Sequence, residues 1–268
     1  MPGKLSTHTR YALYYGPGGP GLLDGYDLAI LAPSGWSSEM RGTLQARGAS
    51  LLAYLTVLEI PAGGPPPPHV LRHQGRPLQN PAWGNWILDP RHPETLRRLL
   101  ARVAALRTAG WDGLFLDTVA DVESPELPLD LQAQLIPSAA RLVAEVAASW
   151  PSAALVQNWG FGPLLPLTAP YLDGVCWESF PHDELARGGP VKALSQRLNA
   201  WSTARNFRVF ALNETTADPA QAVSVAGQWG FLWYAASGSY TAPPPQPSPP
   251  SAASPLSPPS PPNLEVLL

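Results

Sequence analysis

The 268-residue sequence has little cysteine and little basic charge, and it has no long apolar run. Its only cysteine, Cys176, lies among apolar residues, so an intrachain disulfide is excluded and a small buried hydrophobe is the simplest interpretation. Lys and Arg together number 17 and the net charge is −3, so no basic field is present to neutralise phosphates, which argues against a nucleic-acid partner. No segment reaches the roughly 20 apolar residues that span a bilayer, so no membrane partner is expected.

The N-terminal residues 1–10 carry polar and basic side chains, with no apolar stretch behind them that could form the core of a signal peptide. We therefore expect a soluble protein. It is cytoplasmic as the sequence stands, or secreted if a leader has been removed, and both alternatives remain open. A monomer is expected.

Proline is concentrated near the C-terminus, where residues 243–262 hold 11 of the 34 prolines, interleaved with serine and alanine. Such a composition buries little apolar surface and disfavours both helix and sheet. It predicts a disordered tail over residues 241–268. The preceding residues, 1–240, are predicted to form one domain, since 45% of the sequence is apolar and one core of this size can be buried.

Before the tail, apolar runs of strand length recur at eight places. They are 11–16, 26–33, 50–59, 113–118, 153–160, 172–180, 207–215 and 230–237. The runs are continuous rather than alternating in polarity, which indicates parallel strands that are covered on both faces. Amphipathic segments between them predict helices at 36–47, 93–109, 138–149, 190–205 and 219–228.

Eight alternating units favour an α/β fold, a (β/α)8 TIM barrel, over an open doubly wound sheet, because no Gly-rich dinucleotide fingerprint follows any strand. Two connections, 17–25 and 161–171, are short for a parallel crossover. Either the strand boundaries differ by a few residues, or each connection is a single helical turn.

Four of the predicted strands end on a carboxylic acid, and chemistry in such a barrel lies at the C-terminal strand ends. The acids are Glu59, Asp117, Glu178 and Glu214. Clustered carboxylates raise one another's pKa, which can keep one carboxyl protonated as an acid while another stays ionised. The alternatives for each acid are helix capping or pairing with an arginine. A metal site is disfavoured because the histidines lack paired ligand spacing, and no Gly-x-Ser-x-Gly elbow supports a serine nucleophile.

Ten tryptophans are present, and several lie in predicted loops or at strand ends. These are Trp36, Trp83, Trp86, Trp159, Trp177 and Trp233. Flat apolar rings at the mouth of a barrel suit the faces of sugar rings, with core packing as the alternative for each ring. Asn158, Asn213 and Tyr234 lie beside them and can hydrogen-bond hydroxyl groups. Paired acids, rings and amides together favour a glycosidase site.

The segment Gly110-Trp111-Asp112-Gly113-Leu114-Phe115-Leu116-Asp117-Thr118 resembles glycoside hydrolase family 114, the endo-α-1,4-polygalactosaminidases. Tyr14–Gly16, Tyr26–Leu28, Leu52–Val57 with Glu59, and Trp83–Asp89 support the resemblance, which covers most of residues 11–237. The resemblance implies a retaining barrel with Asp117 as nucleophile and Glu178 as acid/base, and a substrate of α-1,4-linked galactosamine that is partly N-acetylated. In a retaining enzyme the two carboxyl groups lie about 5 to 5.5 Å apart. The Pro-rich loop 61–81 departs from the family pattern.

We therefore predict an acidic cleft that binds a polysaccharide or oligosaccharide and requires no cofactor and no metal. Its substrate-binding residues are predicted to be Tyr15, Asp27, Tyr54, Glu59, Trp86, Asp121, Asn158, Trp159, Trp177, Asn213, Glu214 and Tyr234. Three other functions remain open: an inactive barrel that only binds glycan, a glycosidase for another polysaccharide, and a metal-dependent hydrolase. Two acids at reactive separation in one cleft would favour the enzyme.

Overall fold

The sheet consists of eight parallel strands, each paired with the next strand in sequence order. A computed structural model of the chain describes residues 4–187, 191–214, 217–236 and 240–245. The strands are β1 Tyr11–Tyr14, β2 Leu28–Leu31, β3 Ser50–Thr56, β4 Gly113–Asp117, β5 Ala154–Asn158, β6 Gly174–Glu178, β7 Arg208–Asn213 and β8 Leu232–Ala235. The two edge strands lie side by side, with the Tyr11 and Tyr234 rings 5.5 Å apart. The predicted (β/α)8 barrel is confirmed, and each strand lies inside its predicted run.

Each strand is an uninterrupted apolar run because both faces of the sheet are covered. Every residue of β1 and β2 is buried. Tyr11 packs edge-on against Phe210 with ring centroids 4.9 Å apart, and its hydroxyl donates to the Ala211 carbonyl at 2.8 Å. A buried hydroxyl is thereby satisfied inside an apolar core. At Gly113 the strands approach so closely that a Cβ atom would lie 2.1 Å from the Ala154 carbonyl oxygen.

Seven helices of the described residues cover the sheet. They are α1 Ser38–Ala46, α2 Pro93–Thr108, α3 Leu129–Ser149, α4 Leu164–Thr168, α5 His182–Ala186, α6 Lys192–Arg205 and α7 Pro219–Gln228. Four predicted helices are confirmed as α1, α2, α6 and α7. α2 begins at Pro93 and is followed by Gly110 at φ +83°, as the sequence predicts.

The helix predicted at 138–149 begins earlier than expected, at Leu129. Pro137 lies inside α3, and a proline in a helix interior removes a hydrogen bond, so the sequence favours a start after it. The first half of α3 buries Leu131, Leu135 and Ile136. This packing outweighs the local cost of the proline.

The two short connections differ from each other. Residues 161–171 contain α4 and the 3-10 turn Ala169–Tyr171, whereas residues 17–25 form turns without a helix.

A longer connection, from β3 to α2, carries two small antiparallel strand pairs. Glu59–Ile60 pairs with Trp86–Ile87, and Arg72–His73 pairs with Arg76–Pro77. The Pro-rich loop of the sequence analysis therefore extends the barrel at one end.

The segment 240–245 lies against the barrel after β8. The Tyr15 N–H donates to the Tyr240 carbonyl at 2.7 Å, and the Tyr26 hydroxyl donates to the Pro245 carbonyl at 2.5 Å. Pro244 is buried. The tail predicted from residue 241 begins in this segment, and its residues 246–268 lie outside the described part of the chain. No helix in the described part is long and apolar enough to cross a bilayer.

Candidate active site

A cleft of about 1110 Å³ opens at the C-terminal ends of the strands. Six carboxylic acids line it, and among the described lining residues there is no Lys, Arg or His. The acids are Glu59, Asp117, Asp121, Glu123, Glu178 and Glu214. The cleft is therefore negatively charged and is bordered by aromatic rings, as expected for the predicted site.

Asp117 is the last residue of β4, and both of its carboxylate oxygens accept a hydrogen bond. The Tyr54 hydroxyl donates to Oδ2 at 2.5 Å, and the Asn158 amide donates to Oδ1 at 2.9 Å. Burial and the Asp117 charge raise the pKa of Tyr54, so this hydroxyl stays protonated as a donor. β3 and β5 flank β4, which explains why their side chains hold this carboxylate.

Glu178 is the last residue of β6, and its carboxyl group lies near the polar side-chain atoms of Asn158, Trp159 and Tyr240. Burial raises the pKa of Glu178 above its ordinary value, and the nearby Asp117 charge raises it further. The three polar neighbours oppose this rise in part, because they favour the ionised carboxylate. The pKa of Glu178 is raised on balance.

Asn158, at the end of β5, connects the two acids. Its side chain donates to Asp117 at 2.9 Å and also interacts with Glu178. Both carboxyl groups therefore occupy the same part of the cleft. The separation of about 5 to 5.5 Å remains a prediction.

The residue that follows each of these three strands has a left-handed backbone. Thr118, Trp159 and Ser179 have φ of 64°, 55° and 53°. Non-glycine residues rarely adopt this conformation, and such positions cluster at functional sites. The Thr118 hydroxyl helps to hold its turn, since it accepts from the Leu58 N–H at 2.9 Å. The chain thus turns sharply after each functional side chain.

A second pair of carboxyl groups lies in the cleft. Glu59 is only 4% exposed and accepts from Asn80 at 2.5 Å and from Asn85 at 2.8 Å. Asp121, in the 3-10 turn Val119–Glu123, hydrogen-bonds Glu59. Burial, the Glu59 charge and this bond raise the pKa of Asp121 to about 9. At neutral pH Asp121 is therefore protonated and donates to Glu59.

Seven of the predicted substrate-binding residues line the cleft. They are Tyr15, Tyr54, Glu59, Asp121, Asn158, Trp159 and Glu214. The position of Glu59 differs from the prediction, because β3 ends at Thr56 and Glu59 belongs to the small strand pair that follows. Trp159 is 39% exposed in the cleft, where its ring is accessible to a ligand.

The other five predicted binding residues, Asp27, Trp86, Trp177, Asn213 and Tyr234, are not among the lining residues of the cleft. Asp27 precedes β2 and lies at the opposite end of the barrel, where its carboxylate accepts from the backbone N–H groups of Thr9 and Arg10. Asp27 lies at this end of the barrel because it precedes its strand rather than following it. Its hydrogen bonds to Thr9 and Arg10 connect the start of β2 to the start of β1.

Trp177, Asn213, Tyr234 and Trp86 are used in packing. Trp177 packs against Phe161 and Phe180, on the face of β6 opposite to Glu178. The Asn213 amide donates to the Phe180 carbonyl at 3.0 Å, and its oxygen accepts from the Trp233 indole at 2.8 Å. Tyr234 is buried near Tyr11 and Tyr26. Trp86 is half-buried in the strand pair opposite Ile60.

Several polar and aromatic lining residues are absent from the predicted site, among them Asn80, Trp83, Asn85 and Tyr240. Trp83 and Asn85 belong to the segment that carries the family resemblance, which is a signal that could have found them. Tyr240 follows the last strand in a segment without periodicity, so no pattern in the sequence marks it. Among the described residues, no three His, Cys, Asp or Glu side chains are grouped so as to hold a metal ion.

The eight parallel strands define the chain as a (β/α)8 barrel with an acidic cleft at the C-terminal ends of the strands. The fold is similar to that of the glycoside hydrolase domain of PelA from Pseudomonas aeruginosa, with TM-score 0.71 and 22% identity over 87% of this chain and 96% of that domain. It is also similar to Aspergillus fumigatus Ega3 in complex with galactosamine, with TM-score 0.64 and 12% identity over 88% and 95% of the two chains.

An α-galactosidase from Thermus thermophilus, TtGalA in complex with stachyose, has TM-score 0.58 and 17% identity over 91% of this chain and 64% of that chain. No protein-family model and no curated protein sequence matches this sequence. The structural similarities confirm the fold that the family resemblance implies.

Proposed function

We propose that this protein is a retaining glycoside hydrolase that cleaves α-1,4-linked galactosamine polymer with Asp117 as nucleophile and Glu178 as acid/base. The observation that carries the proposal is that two carboxyl groups from different strands line one cleft and interact with the same side chain, Asn158, which donates to Asp117 at 2.9 Å. The likeness of the fold to glycoside hydrolase domains supports it. A module that only binds glycan does not need two carboxyl groups beside the same amide side chain.

The roles follow from the surroundings of each acid. The Asp117 carboxylate, held at both oxygens by Tyr54 and Asn158, attacks the anomeric carbon. Protonated Glu178 donates its proton to the leaving glycosidic oxygen as that bond breaks. In the second step ionised Glu178 takes a proton from water, the water oxygen attacks the anomeric carbon, and Asp117 is released.

The substrate class follows from the charge of the cleft and from one unsatisfied acceptor. Its lining holds six acids, and no basic residue among those described. Buried Oδ1 of Asn158 has no hydrogen-bond partner among the described residues. A protonated amino sugar supplies both positive charge and N–H donors, so it satisfies the two needs together. The complex of Ega3 with galactosamine agrees with this chemistry.

Incubation with deacetylated and with acetylated galactosaminogalactan, followed by mass analysis of the products and by proton NMR of the new reducing ends, tests the proposal. We expect oligosaccharides that keep the anomeric configuration, with the deacetylated polymer cleaved faster. Binding of the polymer without cleavage would indicate the glycan-binding barrel instead. Cleavage of a different polysaccharide alone would retain the hydrolase and reject the amino-sugar substrate.

A further inference from the structure

The cleft is completed by Tyr240, which belongs to none of the barrel strands. Its side chain lines the cleft together with Glu178, and its hydroxyl lies near the Glu178 carboxyl group. The geometry points to Tyr240 as a positioning residue that holds the ionised Glu178 carboxylate for the second step of the reaction. This inference rests on the proposed function. It extends the site to the segment 240–245, beyond the strand ends from which the two acids come.

Tyr240 ends a row of three tyrosine rings. Its ring centroid lies 5.5 Å from that of Tyr15, which lies 4.6 Å from that of Tyr54. The hydroxyl of Tyr54, at one end of the row, donates to Asp117, and the hydroxyl of Tyr240, at the other end, lies near Glu178. The packed rings therefore fix the two hydroxyl groups, and with them the two acids, relative to each other.

The backbone of the segment is held independently of the Tyr240 hydroxyl. The Tyr240 carbonyl accepts from the Tyr15 N–H at 2.7 Å, and Pro245 accepts from Tyr26 at 2.5 Å. Tyr240 itself has φ +58°, a left-handed conformation that a tyrosine seldom adopts. Surrounding contacts must impose this conformation, which turns the residue at the edge of the cleft.

The chemical effect of the Tyr240 hydroxyl is on the ionised form of Glu178. Burial and the Glu178 and Glu214 charges raise the pKa of Tyr240, so its hydroxyl remains a donor through the catalytic range. Donation to Glu178 lowers the pKa of Glu178, against burial. The titratable groups that interact electrostatically with Glu178 are Tyr11, Tyr15, Asp117, Cys176 and Tyr240. Among them, Tyr240 is the one whose hydrogen bond to Glu178 favours the carboxylate.

The test compares Tyr240→Phe with the unchanged full-length protein and with Tyr171→Phe, a control at a tyrosine that is 45% exposed and absent from the cleft lining. Phenylalanine keeps the ring row and removes only the hydroxyl. We expect the basic limb of the kcat/KM profile to move to higher pH. On an activated aryl α-galactosaminide, kcat at acidic pH should fall about tenfold, as for loss of a hydrogen bond to a charged group.

A second readout does not depend on turnover. Carbon-13 NMR of glutamate-labelled protein, with Glu178→Gln to assign the resonance, follows the Glu178 titration, and its midpoint should rise in Tyr240→Phe alone. An active protein in which neither the profile nor the titration changes would overturn the inference while leaving the proposed function intact. If the protein cleaves no amino-sugar polymer, the proposed function is rejected. The NMR titration still decides, in that case, whether Tyr240 holds the Glu178 carboxylate.

Discussion

At the scale of single residues, the division of labour between two similar carboxyl groups depends on their neighbours. Asp117 accepts two hydrogen bonds from fixed side chains, whereas the pKa of Glu178 is raised by burial and by the charge of Asp117. Asn158 donates to Asp117 and interacts with Glu178. The sequence identifies both acids because each ends an apolar run. It does not identify their donors, which come from neighbouring strands and from Tyr240.

Removal of either acid should have distinct effects. Asp117→Asn should abolish turnover of every substrate, because no glycosyl-enzyme intermediate forms. Glu178→Gln should lower kcat/KM on polymer by roughly 10²- to 10⁴-fold, the usual contribution of acid/base catalysis. It should spare substrates whose leaving group needs no protonation, and azide should partly rescue it.

Steady-state kinetics on polymer and on an aryl substrate measure these effects, with Glu145→Gln on the outer layer as the control. Turnover retained in Asp117→Asn would reject the assignment of the nucleophile.

Asp121 predicts a dependence of stability on pH. In the unfolded chain Asp121 loses its proton near pH 4, whereas the folded protein keeps it up to a pKa of about 9. The folded state therefore binds the extra proton between these values, and stability falls as pH rises through that window. Asp121→Asn carries no such proton, and its amide can still donate to Glu59.

We expect Asp121→Asn to be more stable than the unchanged protein at pH 8, by about 1 kcal/mol or more, and the difference to shrink towards pH 4. Urea unfolding of both proteins at the two pH values measures it. Parallel pH dependence of the two proteins would show that Asp121 is ionised in the fold.

At the scale of elements, the connection between β3 and α2 places a loop over one side of the cleft. Its small strand pair and the bonds from Asn80 and Asn85 to Glu59 hold the loop in place. Trp83, between the two asparagines, is 77% exposed and lines the cleft. An exposed indole at this position suits the face of a sugar ring distant from the reacting bond.

Simultaneous Asn80→Ala and Asn85→Ala should release this loop from Glu59. Amide hydrogen exchange over residues 79–86 should become faster, because the side-chain bonds that hold the loop are lost. KM for long polymers should rise while kcat on a short aryl substrate changes little. Gln79→Ala is the matched control, since its side chain donates only within the loop, to Gly84 at 3.2 Å. Unchanged exchange in the double variant would contradict the anchoring role.

At the scale of the whole molecule, hydrophobic pattern predicts the barrel because burial on two faces leaves a continuous apolar run at each strand. It also predicts four acids at strand ends, among which the family resemblance selects Asp117 and Glu178. It does not predict the first half of α3, since packing overrides Pro137, or the position of Asp27, which precedes rather than ends a strand. Tyr240 is beyond such patterns, because only the closed fold brings it to Glu178.

The charge of the whole cleft predicts how the protein selects its substrate. Six acids line the cleft without a basic residue among the described lining. Asp121 is protonated at neutral pH, and the ionised acids among the others produce a negative field that attracts the ammonium groups of deacetylated polymer and has no such effect on acetylated polymer. From about 0.01 M to about 1 M salt the Debye length falls from about 30 Å to about 3 Å, so the attraction is screened. The preference in kcat/KM for deacetylated polymer should therefore fall roughly tenfold or more across this range.

Glu214→Gln should reduce the preference at low salt, because Glu214 lines the cleft, whereas Glu145→Gln on α3 should not. Initial rates on polymers of graded acetylation, each measured across the salt series, test both effects. Equal turnover of fully acetylated polymer at every ionic strength would remove the electrostatic argument for an amino-sugar substrate. Asp117 and Glu178 would keep their roles in that case, because their geometry does not depend on the charge of the polymer.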